Sequence, residues 1–342
     1  MRPAATPAMV ELVRQATGRV GVQVHVLASG GNNRVFRIEN GVDTWLLKEY
    51  FRHPGDTRDR LGAEFAFSRF AWSQGVRCIP EPLGCDAANA LGLYGYLRGR
   101  APTTDDIGAP AIEAALRFWQ GLNAHRDACE ASLLPTASEA CFTLEEHLRC
   151  LERRVGILQA MEGGAGIQAE ARGFVISALS GGAARIIENA RRQAGELGLA
   201  LDRPLAAAER CISPSDFGYH NAIVVGTGDW RFIDFEYAGW DDPAKAVCDF
   251  FCQPAVPVPR TFLGAFLDGV ADAAHGAAKC RRRVEVLMPV YRLKWCCIML
   301  NDFLPVGGRR RHFARKGVAA EERKASQLQK ARAALAQALE QH

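Results

Sequence analysis

The sequence predicts an α+β fold in which a small antiparallel β-sheet and one helix precede a larger, mainly helical part. Three observations lead to this prediction. Alternating β-branched residues and turn signals fill the first third of the chain. A leucine stripe at three- and four-residue steps predicts a helix over residues 143–161. Finally, 48% of the 342 residues are hydrophobic and 23% are charged, so the chain is globular and buries a sizeable core.

A glycine-containing turn joins the first two predicted strands. Residues 22–28 and 34–38 alternate apolar and polar side chains, and Ser29-Gly30-Gly31-Asn32-Asn33 lies between them. Adjacent glycines let a backbone approach phosphate oxygens because no Cβ intervenes, and successive N–H groups of such a turn can hold an anion. An ordinary hairpin turn is the alternative. Asn40-Gly41 then predicts a second hairpin that leads into a third strand.

A lysine and a glutamate follow at positions that favour an ion pair. The third strand, residues 44–51, carries Lys48 among apolar residues. Residues 58–74 predict an amphipathic helix that includes Glu64, and its apolar face is formed by Leu61, Phe65, Ser68 and Trp72. Glu49 is a poor partner for Lys48, since neighbouring side chains of a strand point to opposite faces. An exposed lysine and a solvated glutamate are the alternatives to a paired site.

The strongest chemical signal is the spacing of Asp216, Asn221 and Asp234, which form the pattern D-x4-N-x12-D. Residues 222–225 and 231–235 are predicted as two short strands around a Gly-Thr-Gly-Asp turn, so a hairpin brings Asn221 beside Asp234. An amide oxygen next to a carboxylate oxygen suits Mg²⁺, which can bridge to nucleotide phosphates. Asp216 would then face an acceptor.

This segment resembles the catalytic loop and metal-binding strand of the aminoglycoside phosphotransferase and choline kinase group, within the protein-kinase-like superfamily. The likeness is closest over Ile233 to Gly239, which has the choline kinase form IDFEYAG. It implies that Asp216 is the catalytic carboxylate and that Asn221 and Asp234 are metal ligands. His220, inside the same loop, is expected to shape the loop through a hydrogen bond.

The resemblance also implies a two-lobed protein-kinase-like fold that binds ATP or GTP. A β-rich nucleotide-binding lobe would span residues 1–93, a hinge 94–100, and a helical lobe with the acceptor site 101–342. The apolar strand over residues 91–99 would be the hinge strand, whose backbone holds the nucleobase. The residues that the resemblance assigns to nucleotide binding are Gly30, Gly31, Asn32, Lys48, Glu64, Tyr94 and Tyr96.

One departure from the family pattern leaves alternatives open. The family carries His-Gly-Asp or His-Asn-Asp where this chain has Pro214-Ser215-Asp216, so the histidine that braces the loop is missing. A nucleotide-binding pseudokinase that acts as a scaffold or regulator is one alternative. Protein phosphorylation is another, although no Ala-Pro-Glu segment follows Asp234. Because the other polar positions are retained, we predict an enzyme that moves the γ-phosphate of ATP or GTP to a hydroxyl of a small molecule. Sugars, amino sugars, choline-like alcohols and nucleosides remain open as acceptors.

Charged clusters give weaker signals. The carboxylates that follow the metal-binding strand would suit a cationic acceptor, or would cap a helix and brace the catalytic loop; these are Glu236, Asp241, Asp242 and Asp249. Two basic runs, residues 281–283 and 309–316, are predicted to be solvated surface. A nucleic acid partner is not expected, because the net charge is only +4 and aromatic residues do not alternate with the basic ones.

The remaining composition favours a cytoplasmic protein. The 11 cysteines are scattered without any CxxC pair, which predicts free thiols rather than a zinc site or disulfides. Residues 1–17 lack the apolar core of a signal peptide and predict a short amphipathic helix. Residues 284–303 are apolar but interrupted by charges, which predicts a buried helix and no membrane span.

Overall fold

The structure is a computed structural model that describes residues 5–27, 33–56, 58–273, 277–305 and 320–340. The strands are β1 Gln23–Val26, β2 Arg34–Glu39, β3 Thr44–Glu49, β4 Pro82–Asp86, β5 Leu91–Gly95, β6 Cys211–Ser213, β7 Ala222–Val225, β8 Asp229–Phe232 and β9 Gly239–Asp241. The helices are α1 Pro7–Thr17, α2 Arg60–Ser73, α3 Ala109–Asn123, α4 Leu144–Gln159, α5 Ile167–Phe174, α6 Ser180–Glu196, α7 Pro243–Cys252, α8 Leu263–Ala273, α9 Ala277–Met299 and α10 Ala320–Glu340.

The chain forms two compact units, each discontinuous in sequence. The first holds the described residues of Met1–Ser138 and Pro214–Gly239, and the second holds those of Glu139–Ser213, Trp240–Gly308 and Gly317–His342. The first unit contains the main sheet and the second is mainly helical, so the predicted α+β, two-lobed class is confirmed. The lobe boundaries given above remain a prediction.

The sheet of the first unit is antiparallel, with strand order β1-β2-β3-β5-β4. One face is apolar and packs against α1, because side chains of a strand alternate between the two faces. The cluster between sheet and helix consists of Met9, Leu12, Val13, Val24, Phe36, Ile38, Trp45, Leu47, Leu91 and Leu93. The other face carries Lys48, with Val35 and Gly92 opposite it on the neighbouring strands. Lys48 therefore lies on the face of the sheet that α1 does not cover.

Most predicted elements of the first unit are confirmed, but the end of the hinge strand and the apolar face of α2 differ from the prediction. The hinge strand ends at Gly95 and not at residue 99. The apolar face of α2 was also misassigned: Phe67 and Phe70 are buried, whereas Phe65 and Trp72 are only partly buried. Several sides of α2 are covered, and the ring of Phe67 lies 4.7 Å from the ring of Phe235. Helical periodicity finds one face of a helix, so it missed the others.

The segment after β5 contacts the hairpin of β7 and β8. Arg100 and Val224 exchange two backbone hydrogen bonds of 3.1 and 2.9 Å. This approach requires glycine at position 99, since a Cβ there would lie 2.4 Å from the carbonyl oxygen of Val224. Between β7 and β8, Ala222 pairs with Phe232 and Val225 pairs with Asp229, which confirms the predicted hairpin.

In the second unit, the long helix α9 packs against α4, α6, α7 and α10. Gly181 and Gly182 lie in the first turn of α6. Gly182 leaves room for α10, because a Cβ there would come within 3.1 Å of the Leu335 side chain. The predicted helix over 284–303 is buried and corresponds to α9 with the short turn that follows it. Within the described ranges, no helix has the length and apolar character needed to cross a bilayer.

Candidate active site

Lys48 lies between two carboxylates on the polar face of the sheet. Its Nζ is 2.7 Å from Glu64 Oε1, 3.0 Å from Glu64 Oε2 and 2.8 Å from Asp234 Oδ1. The side chains of Lys48 and Glu64 are buried, whereas that of Asp234 is 31% exposed. The alternatives of an exposed lysine and a solvated glutamate are therefore wrong. Glu49 points away and contacts Arg34 at 3.4 Å, as predicted.

The ion pairs keep Lys48 charged although it is buried. Burial alone would lower the pKa of the lysine, but the negative charges of Asp234 and Glu64 more than offset this effect and raise it. Burial also raises the pKa of Glu64, and the charge of Lys48 opposes that rise. A fixed ammonium group next to a partly exposed carboxylate is an arrangement that can bind phosphate oxygens.

The hairpin places Asn221 and Asp234 close together along the backbone. Ile233 N–H donates to the carbonyl oxygen of Asn221 at 2.9 Å, one residue before Asp234. The strand was predicted to continue to residue 235 but ends at Phe232. Asp234 itself has a φ of +67°, a left-handed conformation that is unfavourable for most non-glycine residues and more accessible to aspartate. The backbone therefore turns at the carboxylate that contacts Lys48.

Asp216 lies on a short loop that hydrogen bonds hold in place. Its carbonyl oxygen accepts a bond from Asn221 Nδ2 at 2.9 Å, and its Oδ1 is 3.1 Å from His220 Nε2. Ser215, directly before it, has a φ of +65°. The expected loop-shaping role of His220 thus corresponds to a contact with the carboxylate itself. Although Pro214 replaces the family histidine, another histidine of the loop contacts Asp216.

The donor set of this loop fits a hard divalent cation. Because Asn221 Nδ2 donates to a carbonyl, the opposite end of the amide is the oxygen, and it is directed away from that carbonyl. Asp234 adds a partly exposed carboxylate. One amide oxygen and one carboxylate leave coordination positions for phosphate and water, as Mg²⁺ prefers. Among the described residues no group of three or more His, Cys, Asp or Glu side chains could form a larger metal site.

The predicted nucleotide-binding residues are distributed unevenly. Gly30, Gly31 and Asn32 lie outside the described residues. Tyr94 is buried, and its hydroxyl is 2.9 Å from the Tyr50 hydroxyl, so its side chain points into the unit. Tyr96 lines a pocket of about 380 Å³ with Arg37, Glu39, Thr44, Arg98 and Gly99. Tyr50 was not predicted to lie beside the site. Its position two residues after Lys48 nevertheless indicates that both side chains lie on one face of the strand.

A second buried cluster connects Asn33 with the segment after Asp234. Asn33 Nδ2 donates to Glu236 Oε2 at 2.9 Å, and Asn33 Oδ1 accepts from the N–H of Phe51 at 3.3 Å. Arg60 Nε lies 3.3 Å from Glu236 Oε2, and the same guanidinium also contacts Asp56. Burial and the nearby Asp234 raise the pKa of Glu236 to about 7, because Arg60 is shared between two carboxylates and compensates only in part.

Replacing Glu236 by glutamine should make unfolding stability less dependent on pH. The folded state holds the Glu236 proton more tightly than the unfolded state, so wild-type stability from this group falls as pH rises from about 4.5 to about 7. Glutamine cannot ionise. We therefore expect the free energy of unfolding of Glu236→Gln, relative to that of wild type, to increase by up to about 3 kcal/mol from pH 5 to pH 8. Urea unfolding at unit pH steps measures this difference.

The exposed Glu113, on α3, provides the matched control for a carboxylate-to-amide change. Glu113→Gln should show no comparable trend. If the stability difference between Glu236→Gln and wild type were the same at pH 5 and pH 8, ionisation of Glu236 would not be linked to folding.

In the second unit Asp241, Asp242 and Asp249 are buried and paired with basic side chains, so these three are not exposed to a cationic acceptor. Asp241 contacts Lys245 at 2.6 Å, and Lys245 is also 3.3 Å from Asp249. Asp242 caps α7 by accepting the N–H of Ala244 at 2.8 Å, which confirms the capping alternative for this residue. Sequence spacing could not distinguish these pairs from a solvent-facing acidic wall.

In the basic run 281–283, Arg281 and Arg282 are exposed as expected, but the expectation was wrong for Arg283. Arg283 is buried, and its Nε is 3.0 Å from Asp242 Oδ2. Arg281 pairs with Asp268, and Arg282 donates to the carbonyl oxygen of Leu197 at 3.1 Å. The run 309–316 lies outside the described residues. All 11 cysteines are free thiols.

Comparison with known sequences decides the family. The profile of the phosphotransferase enzyme family, APH, matches residues 23–287, which is most of the chain. The chain belongs to this phosphotransferase family. The match covers Lys48, Glu64, Asp216, Asn221 and Asp234, and the predicted family resemblance is confirmed. No curated protein matches the chain in sequence.

Solved structures with the same fold include members of both predicted groups. Spectinomycin phosphotransferase, solved with ADP and spectinomycin, aligns with a TM-score of 0.62 at 10% identity. The alignment spans 96% of this chain and 100% of the spectinomycin phosphotransferase. A choline/ethanolamine kinase family protein from Mesorhizobium loti aligns with a TM-score of 0.55 at 16% identity, over 97% of this chain and 92% of the other. Ethanolamine kinase from Plasmodium vivax aligns with a TM-score of 0.58 at 12% identity, over 93% of this chain and 86% of the other. At these identities the likeness establishes the fold.

Proposed function

We propose that this phosphotransferase moves the γ-phosphate of ATP or GTP to a hydroxyl group of a small molecule. The observation that carries the proposal is the contact of Lys48 with Glu64 and Asp234, together with Asp216 and Asn221 on the adjoining loop. These groups come from four separate chain segments, and the first unit holds all of them. Membership of the phosphotransferase family supports the same reaction class.

The roles follow from charge and position. Lys48 binds phosphate oxygens of the nucleotide, and Glu64 holds its ammonium group in place. Asp216 accepts a hydrogen bond from the acceptor hydroxyl and aligns it for in-line attack, while its contact with His220 fixes the carboxylate. Mg²⁺ held by Asn221 and Asp234 would supply positive charge to the phosphate oxygens. Positioning and electrostatics provide most of the catalysis, since the transition state of phosphoryl transfer is loose.

Amino sugars, sugars and choline-like alcohols are the proposed acceptor classes. Spectinomycin phosphotransferase and the choline and ethanolamine kinases of the same fold motivate this range. The free cysteines support a reducing, cytoplasmic setting, where nucleoside triphosphates are also available.

A thermal-shift titration with ATP and GTP, with and without Mg²⁺, tests the proposal. A nucleotide at a hundredfold excess over its Kd stabilises the folded state by about 2.7 kcal/mol, which raises Tm by several degrees. We expect a Mg²⁺-dependent shift in wild type that Asp234→Ala loses. Asp229→Ala is the matched control, because Asp229 lies 76% exposed at the start of β8 in the same hairpin, and it should keep the shift.

Release of ADP with an amino sugar, a sugar and a choline-like alcohol then separates enzyme from pseudokinase. ADP released with at least one acceptor supports the enzyme. A nucleotide shift without ADP release beyond the rate in water would favour the scaffold alternative, for which Pro214 is the motivation. Absence of any shift with either nucleotide would contradict the proposal.

A further inference from the structure

Behind the Lys48–Glu64 pair, two tyrosine hydroxyls continue the polar chain into the interior of the first unit. The Tyr50 hydroxyl lies 2.7 Å from Glu64 Oε2, and the Tyr94 hydroxyl lies 2.9 Å from that of Tyr50. All four side chains are buried, with residue exposures between 2% and 6%. Hydrogen-bonding groups at this depth act in a low-dielectric environment, where each bond has a larger effect than at the surface.

The direction of each bond follows from proton counting. An ionised carboxylate only accepts, so Tyr50 must use its single hydroxyl proton on Glu64. Tyr50 can then only accept from Tyr94, and Tyr94 is the donor of the second bond. Every proton in the chain therefore points towards Glu64, and successive bonds of this kind strengthen one another. Glu64 Oε2 receives bonds from both Lys48 and Tyr50.

The local sequence makes room for this chain. Tyr50 follows β3, and its N–H donates to the carbonyl oxygen of Ala90 at 2.9 Å, which fixes it to the start of β5. Position 92, opposite Lys48, is glycine, and a Cβ there would lie 2.9 Å from the Tyr94 ring and 3.0 Å from its hydroxyl. Leu61 on α2 packs with Tyr50 and Ala90. A helix and two strands thus converge on the two hydroxyls.

We propose that Tyr94 and Tyr50 form a hydrogen-bond relay that holds the Glu64 carboxylate on Lys48, which makes Tyr50 a positioning residue of the phosphotransfer site. The biochemical meaning of the relay rests on the proposed function, but the geometry that it maintains does not. The relay ties α2 to β3 and β5 at once. Tyr94 acts on Glu64 indirectly, through its hydrogen bond to Tyr50.

Chemical labelling of Lys48 tests the relay without any nucleotide. An N-hydroxysuccinimide ester acetylates the Lys48 amine, and mass spectrometry measures the rate. The rate reports how well Glu64 holds the amine. We expect Tyr50→Phe to raise the rate constant for Lys48 about tenfold, which corresponds to loss of one charge-assisted hydrogen bond. Tyr94→Phe should raise it less. Tyr291→Phe is the matched control, because it removes a buried hydroxyl bonded to His147 at 2.8 Å in the second unit, and should leave the Lys48 rate unchanged.

The double variant Tyr50→Phe/Tyr94→Phe separates positioning from general stability. Tyr50→Phe leaves the Tyr94 hydroxyl without its acceptor, whereas the double variant removes both polar groups, so part of the lost stability should return. Labelling of Lys48 should nevertheless remain as fast as in Tyr50→Phe. A purely structural role for the hydroxyls predicts that labelling and stability recover together, and that result would overturn the relay, as would equal labelling rates in wild type and Tyr50→Phe.

MgATP binding, measured calorimetrically on the same proteins, connects the relay to function. We expect Kd for MgATP to rise in the order wild type, Tyr94→Phe, Tyr50→Phe, with Tyr291→Phe equal to wild type. If wild type binds no MgATP, the proposed function fails while the labelling result still decides the relay. If wild type binds MgATP and Tyr50→Phe binds it equally well, the positioning role is wrong.

Discussion

Asp216→Asn is expected to lower turnover about a thousandfold while nucleotide binding is retained. Asparagine has nearly the same shape as aspartate but carries no charge, so it cannot accept the acceptor's proton or align its hydroxyl as strongly. The backbone carbonyl of residue 216, which holds Asn221 at 2.9 Å, is not changed by the substitution. The loop and its proposed metal ligand should therefore keep their arrangement, and the loss should appear in kcat.

Two measurements on one preparation check this expectation. ADP release with a productive acceptor gives kcat, and the thermal shift with MgATP shows whether the nucleotide still binds. Asp229→Asn, exposed at the start of β8, controls for the removal of a negative charge near the site. Turnover close to wild type in Asp216→Asn would remove Asp216 from the chemistry and leave the carboxylate role unassigned.

Asp242→Ala is expected to destabilise the protein by about 3–5 kcal/mol. Asp242 is fully buried and is bonded to Arg283, to His147 at 3.1 Å and to the N–H of Ala244. Arg283 and His147 hold its pKa below the ordinary value against the effect of burial, so the carboxylate is charged. Alanine would leave the Arg283 guanidinium buried without this partner, which is the most costly consequence of breaking a buried pair.

Unfolding in urea, monitored by tryptophan fluorescence, measures the loss. The exposed pair of Arg192 and Glu196 on α6 supplies the control, and Glu196→Ala should cost less than about 1 kcal/mol. The double variant Asp242→Ala/Arg283→Met should recover part of the stability, because it removes both charges. A double variant less stable than Asp242→Ala would show that the unpaired arginine is not the main cost.

His147 contributes to the same network as a neutral ring. Burial lowers its pKa, so one ring nitrogen donates and the other accepts. Nε2 faces the carboxylate of Asp242, which only accepts, and therefore carries the proton, while Nδ1 accepts from the Tyr291 hydroxyl at 2.8 Å. The network is thus satisfied without a second positive charge, and Asp242 balances Arg283.

Local sequence signals predicted the parts of the fold that depend on neighbouring residues. The alternation around Lys48, the Asn40-Gly41 turn and the spacing of Asn221 and Asp234 each describe one or two hydrogen-bonded strands, whose geometry a short window determines. These signals placed Lys48 on its strand and Asn221 beside Asp234, and the family resemblance implied that Glu64 and Asp216 belong to the same site.

Partners that are distant in sequence could not be predicted in the same way. Arg283 and Asp242 are 41 residues apart, and nothing in a run of three arginines indicates which one is buried. The relay also depends on Gly92, whose missing Cβ admits the Tyr94 ring from the same strand. The turn at Asp234 was missed because a left-handed aspartate leaves no pattern in hydrophobicity.

The discontinuity of the first unit has a consequence for its synthesis on the ribosome. Lys48 and Glu64 are made early, but their partner Asp234 is separated from Ser138 by the whole of Glu139–Ser213, which belongs to the other unit. At about 5–20 residues per second, these intervening residues take roughly 4–15 s to translate. During that interval Lys48 lacks Asp234, which is one of the two carboxylates that contact its ammonium group in the folded unit. The 26 residues Pro214–Gly239 then supply Asp216, Asn221 and Asp234, so all three of these site residues reach the first unit only after the intervening segment has been made.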